Sequence, residues 1–394
     1  MKHLRAWVLD TWRPLLAALA VVVVVGILLT FRIGSLTHGA SLAEREYINT
    51  LQSGRQILNE PIFIVHKLPV YILFKLNIHR IGVYRLVSVF MAASMVVSTY
   101  FILKRWYSLR VALLGSWLAL SAAATLHIGR LALPEASFLL FMPMVAAIVW
   151  MHTTTRPHLA LVMLSFLTGF SLYIPGFFWL IVALYIWQRK DFWEAIKTMR
   201  GELQLLCGFI IIFCVLPLGL SAIQVPQNLL LAAGLPTHLP SISQIGKNIL
   251  AVPMQLFIRG LNNPIYNLGR LPLLDVFSTV MIALGAYSLR YNLTHMRTQL
   301  VLGGAILFGI LIAAGGLPVT VLLPLLYLLA AGGIGFMLQQ WFTVFPRNPL
   351  ARIIATTLVS VTVVMASFYN INRYFIAWPQ TPATRQAFNQ SLVK

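Results

Sequence analysis

The sequence predicts an all-α, polytopic transmembrane helical bundle with about eleven spans. Of its 394 residues, 59% are hydrophobic and only 10% are charged, whereas soluble domains carry roughly a quarter charged residues. Several apolar runs reach the roughly 17–25 residues that cross a bilayer. Because a chain inside lipid must satisfy its own backbone hydrogen bonds, each of these runs is interpreted as a helix.

The charge is strongly basic, with 29 Lys and Arg against 9 Asp and Glu and a net charge of +20. In a soluble protein this excess would indicate nucleic acid. In a membrane protein, basic residues flank the spans, anchor at lipid headgroups and set topology. We therefore expect membrane lipids, and no nucleic acid, as partners of these side chains.

Basic residues near the start, Lys2, Arg5 and Arg13, place the N-terminus in the cytoplasm by the positive-inside rule. The first apolar run, 14–32, is longer than the roughly 7–15 residues of a signal-peptide core, so it is interpreted as a retained span. The other predicted spans cover 83–103, 111–128, 136–151, the two halves of 159–187, 203–221, 273–289, 298–314, 317–338 and 353–369.

The run 159–187 is divided because Pro175-Gly176 interrupts it. As one helix it would measure about 43 Å, against a hydrocarbon core of roughly 30 Å. Two short helices that meet outside also keep the basic loop around Arg189 and Arg200 in the cytoplasm.

The sequence predicts a transmembrane domain over 1–369, with outside loops at 33–82 and 222–272, and a short extracytoplasmic tail at 370–394. Each outside loop contains an amphipathic stretch, 46–58 and 242–256, that fits a helix lying on the membrane surface. Pro253 is expected to kink or cap the second one. Cys207 and Cys214 lie on one face of a predicted span and fit small core residues rather than a disulfide.

Five of the nine acidic residues fall on the outer face by this topology: Glu44, Glu46, Glu60, Glu135 and Asp275. Carboxylates there supply a general base or hold a divalent cation. Basic residues on the same face, Lys67, Arg130, Arg259 and Arg270, suit a phosphate leaving group. Each residue also has a plain structural interpretation, since Ser41-x-x-Glu44 fits a helix capping box and Lys67 a headgroup anchor.

Two short motifs resemble those of polytopic glycosyltransferases of the GT-C fold, in the protein O-mannosyltransferase and aminoarabinose transferase superfamily. The first is Glu44-Arg45-Glu46-Tyr47, where Ala43 stands in place of the family's Asp, followed by His66-Lys67-Leu68-Pro69. The second, Arg130 to Glu135, is similar to the family's Arg followed by an acid before the next span. In pattern, the resemblance covers roughly residues 1–200.

The resemblance implies a glycosyltransferase that moves a sugar from a polyprenyl-phosphate donor to a glycan, lipid or protein acceptor on the extracytoplasmic face of the cell membrane. Glu44 and Glu46 are then the expected catalytic residues. Lys67, Arg130 and Arg270 would bind the donor phosphate. Glu135 and Glu44 would hold a divalent cation, Mg²⁺ or Mn²⁺, where the enzyme uses one.

Two other functions stay open from the sequence. A transporter or lipid flippase is compatible with the Pro175-Gly176 and Gly315-Gly316 interruptions, although transporters place ionisable groups near the membrane midplane. A non-catalytic GT-C-like protein that binds lipid is compatible with the missing Asp.

Overall fold

The structure is a computed structural model that describes residues 23–78, 80–154 and 157–391. Within these residues the protein is an all-helical bundle, and its one isolated β-bridge joins Ala40 to Gln390. The predicted cytoplasmic N-terminus and most of the first span, 14–32, lie outside the described residues. Residues 23–30 of that span are helical.

Six helices of the described chain are long and apolar enough to cross a membrane. They cover Ile81–Trp106, Pro134–His152, Gly201–Gln224, Met296–Ala313, Val319–Val344 and Pro349–Gln380. A seventh candidate is the pair Leu109–Ser121 and Ala123–Gly129, which is bent by 61°. Three shorter apolar helices cover His158–Ser171, Phe177–Trp187 and Val276–Leu289. These helices coincide with the predicted spans, and a polytopic helical bundle is confirmed.

The break at Pro175-Gly176 separates two helices, as expected, with Gly176 in the left-handed region at φ 81°. The backbone N–H of Phe63 donates to the Tyr173 carbonyl at 2.7 Å. The turn between these two helices therefore lies at the same end of the bundle as the segment 33–80. We call this end of the bundle the site end.

Helix Val319–Val344 is largely buried and lies at the centre of the bundle, whereas Gly201–Gln224 is mostly exposed and suits contact with lipid. The central helix crosses Val276–Leu289 closely at Gly285 and Gly333. A Cβ on either glycine would lie 2.0 Å from a carbonyl oxygen of the partner helix. Only glycine allows the backbones to approach this far.

The predicted surface helix over 46–58 is wrong in its extent and position. The chain forms two helices, Leu42–Thr50 and Gly54–Asn59, and Ile48, Leu51 and Ile57 are buried inside the protein. Serines at positions 41 and 53 cap the two helix starts, so local hydrogen bonding divides the segment. In the second loop, a single α-helix does form over Ile242–Pro253, with Ile242, Ile249 and Leu250 exposed and none of its residues buried, and a π-helical turn, Met254–Ile258, follows it.

The described part of the predicted tail, 370–391, packs back onto the bundle. The helix Pro349–Asn372 continues through Arg373–Ala377 and Trp378–Gln380, and Pro382–Ala387 follows. Trp378 and Phe388 are fully buried. Nothing in the sequence pattern indicated this return, which covers the candidate site described next.

Candidate functional site at one end of the bundle

Glu44 lies at the centre of the site end, with its side chain fully buried. Arg85 binds it in a bidentate ion pair, with Nε 2.8 Å from Oε1 and Nη2 2.8 Å from Oε2. The backbone N–H of Ala132 donates to Oε1 and that of Ser41 to Oε2, each at 2.9 Å. Burial alone raises the pKa of Glu44, but the Arg85 charge and these hydrogen bonds together hold the pKa below its ordinary value.

The Glu44–Arg85 pair connects three segments that are distant in sequence. Arg85 also donates to the carbonyl oxygens of Ile33 and Gly39 and to Thr37 Oγ1. The Glu44–Arg85 pair is the only salt bridge found among the described residues. Every acceptor position of Glu44 is engaged, so its predicted role as general base or metal ligand, which stays a prediction, requires the ion pair to open.

A hydrogen-bonded chain runs beside the pair from Tyr47 through His66 to Ser88. Tyr47 Oη lies 2.8 Å from His66 Nδ1, and His66 Nε2 lies 2.9 Å from Ser88 Oγ. Ser88 donates its own hydrogen to the Leu131 carbonyl, so its oxygen accepts from His66. His66 is therefore protonated on Nε2, and its Nδ1 accepts from Tyr47. Burial lowers the pKa of His66 to about 3, which keeps the ring neutral.

Arg130 is a buried guanidinium without a carboxylate partner among the described residues. It donates from Nη2 to the Phe31 carbonyl and stacks over the rings of Tyr374 and Phe375, at 5.1 and 4.5 Å. Within the described chain its Nε and Nη1 have no hydrogen-bond partner. A buried cation with unused donors is costly, so Arg130 is suited to hold an anion.

His127 adds two more unused nitrogens next to Arg130. Its ring packs edge-on against Tyr374 and Trp378, with centroids 4.8 and 4.6 Å away, and neither nitrogen has a partner among the described residues. The cleft lined by Arg85, Arg130, Tyr374 and Trp378 has no room for even a water molecule in this conformation. A phosphate could reach Arg130 only if the returning C-terminal segment moved aside.

Glu135 is the predicted acid whose carboxyl group is not saturated. Its Oε2 is buried without a hydrogen-bond partner in the described part of the chain. The Tyr266 hydroxyl interacts with this carboxyl group, and the Glu135 charge also acts on Tyr47. Burial, followed by that charge, raises the pKa of both tyrosines. Both hydroxyls therefore stay protonated: Tyr47 donates to His66 Nδ1, and Tyr266 is placed to donate toward the Glu135 carboxylate.

The remaining predicted residues lie apart from this centre. Lys67 is half-buried, and its Nζ donates to the Glu60 carbonyl at 2.7 Å. Burial lowers its pKa, and the Glu60 charge opposes that effect. Glu46 is exposed on the helix that carries Glu44. Arg270 is exposed beside a separate cavity of about 730 Å³ against the returning segment, so it is not brought next to Arg130.

The donor set does not fit a divalent cation. Among the described residues, no group of three or more His, Cys, Asp or Glu side chains is placed to hold a metal ion. Glu44 is already saturated by Arg85 and two backbone N–H groups. The expected Mg²⁺ or Mn²⁺ therefore gains no support, and no step of the chemistry below passes through a metal.

Sequence reasoning missed Arg85, Tyr266 and Tyr374. Arg85 did carry a signal, because it is a lone charge near the start of a 26-residue apolar helix, where an arginine is expensive unless paired. Comparison with protein-family models and with curated proteins finds no match for this chain. The fold itself defines a multi-pass helical membrane protein.

Proposed function

We propose that the protein is a membrane glycosyltransferase with about eleven spans, which transfers a sugar from a polyprenyl-phosphate donor to an acceptor at the site end, on the extracytoplasmic face. The observation that carries the proposal is the position of Glu135. Among the described residues, one oxygen of its buried carboxyl group has no partner, the Tyr266 hydroxyl interacts with that group, and Arg130 at the same end has no carboxylate partner. Transfer of a sugar away from a phosphate leaving group needs a general base for the acceptor hydroxyl and a cation for the phosphate.

In the proposed reaction, an acceptor hydroxyl attacks the anomeric carbon of the sugar. The bond from that carbon to the phosphate oxygen breaks as the bond to the acceptor oxygen forms. Glu135 accepts the hydroxyl proton, and the polyprenyl phosphate leaves with its electron pair. Lys67 binds the donor phosphate from outside this centre, and Arg130 stabilises the charge on the leaving phosphate once the returning C-terminal segment has moved aside. Glu44 acts as a positioning residue, because it holds Arg85 and the backbone of Ala132 in place.

A second function is favoured by a specific observation. Glu44, which matches the acidic motif, is fully engaged by Arg85, and the cleft beside Arg130 is closed. The engaged Glu44 suits a non-catalytic protein, and the closed cleft beside Arg130 would have to open for that protein to bind a polyprenyl phosphate or another lipid. In the described part of the chain, no specific observation favours the transporter.

The test is consumption of radiolabelled polyprenyl-phosphate hexoses and pentoses by purified protein in lipid nanodiscs. We expect Glu135→Gln to lower turnover about 10²–10⁴-fold, as loss of a general base does. Glu202→Gln, an exposed acid on helix Gly201–Gln224, is the matched control and should retain wild-type turnover.

The outcomes separate the two functions. Loss of activity in Glu46→Gln instead of Glu135→Gln would move the base to the exposed acid. Tight binding of polyprenyl phosphate by the wild type, without turnover of any donor in the panel, would overturn the transferase and support the lipid-binding protein.

A further inference from the structure

A further cavity neither belongs to the site end nor touches any residue of the proposed mechanism. It measures about 890 Å³ and lies where helices Ile81–Trp106 and Leu109–Ser121 meet, against the ends of Val276–Leu289 and Val319–Val344. Arg85 and Trp106 are 21 residues apart on one helix, which at about 1.5 Å per residue puts this cavity about 30 Å from the candidate site. We call it the distal cavity.

The wall of the distal cavity is basic. Arg110, Arg297 and Arg352 line it, and none of its lining residues is acidic. The three connecting segments at this end, 104–110, 290–297 and 345–352, contain seven Lys or Arg and no Asp or Glu. Basic residues at the end of a span commonly act only on topology. Here three of them surround a space large enough for a ligand.

The rest of the wall combines aromatic surface with an unused polar atom. Tyr107 packs against the central helix, where a Cβ at Gly332 would lie 3.0 Å from its hydroxyl oxygen and one at Gly335 would lie 3.1 Å from a ring carbon. Arg297 stacks over Tyr107 at 5.4 Å, and Arg352 stacks over Phe342 at 4.7 Å. The hydroxyl of Thr298, which is fully buried in the wall, has no hydrogen-bond partner among the described residues. The wall therefore offers guanidinium cations and, in the Thr298 hydroxyl, a hydrogen-bond donor to an anion.

The surroundings of the mouth indicate a membrane lipid rather than a soluble anion. Large apolar side chains close to the lining residues are exposed, among them Leu109, Leu350 and Ile353. The cavity lies at the ends of membrane-length helices, and the ends of a helix that crosses a bilayer lie at headgroup depth. A phospholipid presents an anionic phosphate at this depth, with acyl chains that can follow the apolar helix surfaces. Guanidinium groups suit a phosphate, because they form paired charge-assisted hydrogen bonds.

We propose that the distal cavity binds the phosphate headgroup of an anionic membrane lipid, at the end of the bundle opposite to the candidate site. This lipid site is independent of the proposed transferase, since the two share no residue. It would hold helices Ile81–Trp106, Leu109–Ser121 and Val319–Val344 together at that end.

Native mass spectrometry of delipidated protein tests the proposal, with phosphatidic acid and phosphatidylcholine of identical acyl chains as probes. We expect one phosphatidic acid to bind at least tenfold more tightly than phosphatidylcholine. Arg110→Gln with Arg352→Gln should weaken that binding at least tenfold, because loss of a charge-assisted contact corresponds to roughly 10- to 150-fold in affinity. Both arginines are exposed, so the variant is expected to fold.

The matched control is Arg105→Gln with Arg347→Gln, which removes the same charge from the same end but from residues outside the lining. Wild-type affinity in this control supports the cavity, whereas equal weakening in both double variants would show a diffuse charge effect and overturn the site. Glycerol 3-phosphate and inorganic phosphate are the soluble probes. Binding of either as tightly as the lipid would overturn the lipid as the ligand.

Discussion

The Glu44–Arg85 pair is expected to limit the stability of the whole site end. In Glu44→Ala, the Arg85 guanidinium stays buried without its counter-charge, and the N–H groups of Ser41 and Ala132 lose their acceptor. Breaking one side of a buried ion pair costs about 3–5 kcal/mol. At about 2–4 °C of Tm per kcal/mol, we expect Tm to fall by roughly 6 °C or more.

Thermal unfolding can be followed with a thiol-reactive dye, because Cys214 is a free cysteine that is buried in the folded protein. Cys207 is partly accessible and is replaced by Ser in every variant so that it gives no background. Glu46→Ala, at an exposed position on the same helix, is the control and should leave Tm unchanged.

The double variant Glu44→Leu with Arg85→Leu distinguishes the ion pair from simple packing. Removal of both charges eliminates the uncompensated cation, so we expect Tm to recover part of the loss seen in Glu44→Ala. Recovery should be incomplete, since the Ser41 and Ala132 N–H groups still lack an acceptor, at about 1–3 kcal/mol each. A Glu44→Ala protein as stable as the wild type would refute the structural role assigned to this pair.

Three further predictions concern the same end of the molecule and the topology. Burial lowers the pKa of His66 to about 3, so below about pH 6.5 the unfolded chain binds a proton that the folded protein does not. The free energy of unfolding should therefore fall as the pH drops, by about 1.4 kcal/mol per pH unit from this residue. Tm measured against pH should decline less steeply in His66→Gln, and identical slopes in the two proteins would contradict this. Lys67→Ala should weaken binding of polyprenyl phosphate about 10- to 150-fold, with Lys67→Arg retaining part of it, whereas equal dissociation constants would leave Lys67 as a headgroup anchor. The topology is tested in a protein without Cys207 and Cys214. Pro240→Cys should react with an impermeant thiol reagent in intact cells, and Ala195→Cys should react only after permeabilisation. Labelling of position 195 in intact cells would contradict the division of 159–187 into two crossings.

Most helix positions could be predicted from the sequence, because they depend on local properties. A run of apolar residues determines where a chain can cross lipid, and the Pro175-Gly176 break determines where it cannot continue as one helix. The kink or cap expected at Pro253 corresponds to the change there from α-helix to the π-helical turn Met254–Ile258. The stretch 46–58 was misjudged because its amphipathic pattern does not say whether the apolar face meets the membrane or the protein, and here it meets the protein.

The candidate site depended on partners that the sequence does not place near one another. Glu44 and Glu135 were identified because acidic residues are rare on the predicted outer face. Which of the two carboxyl groups is fully engaged was decided by Arg85, 41 positions after Glu44. Arg130 was identified as an anion ligand, yet its seclusion is due to Tyr374 and Phe375, in a segment predicted as a tail.

Composition and apolar periodicity by themselves determined that this protein is a multi-pass helical bundle, because the transfer of apolar helices into lipid is a property of each segment alone. The tertiary structure decided which charges are paired, which are buried without a partner, and that the C-terminal segment covers Arg130. Those outcomes depend on contacts between residues far apart in the chain, and burial makes the energy of a charge depend on its neighbours in space.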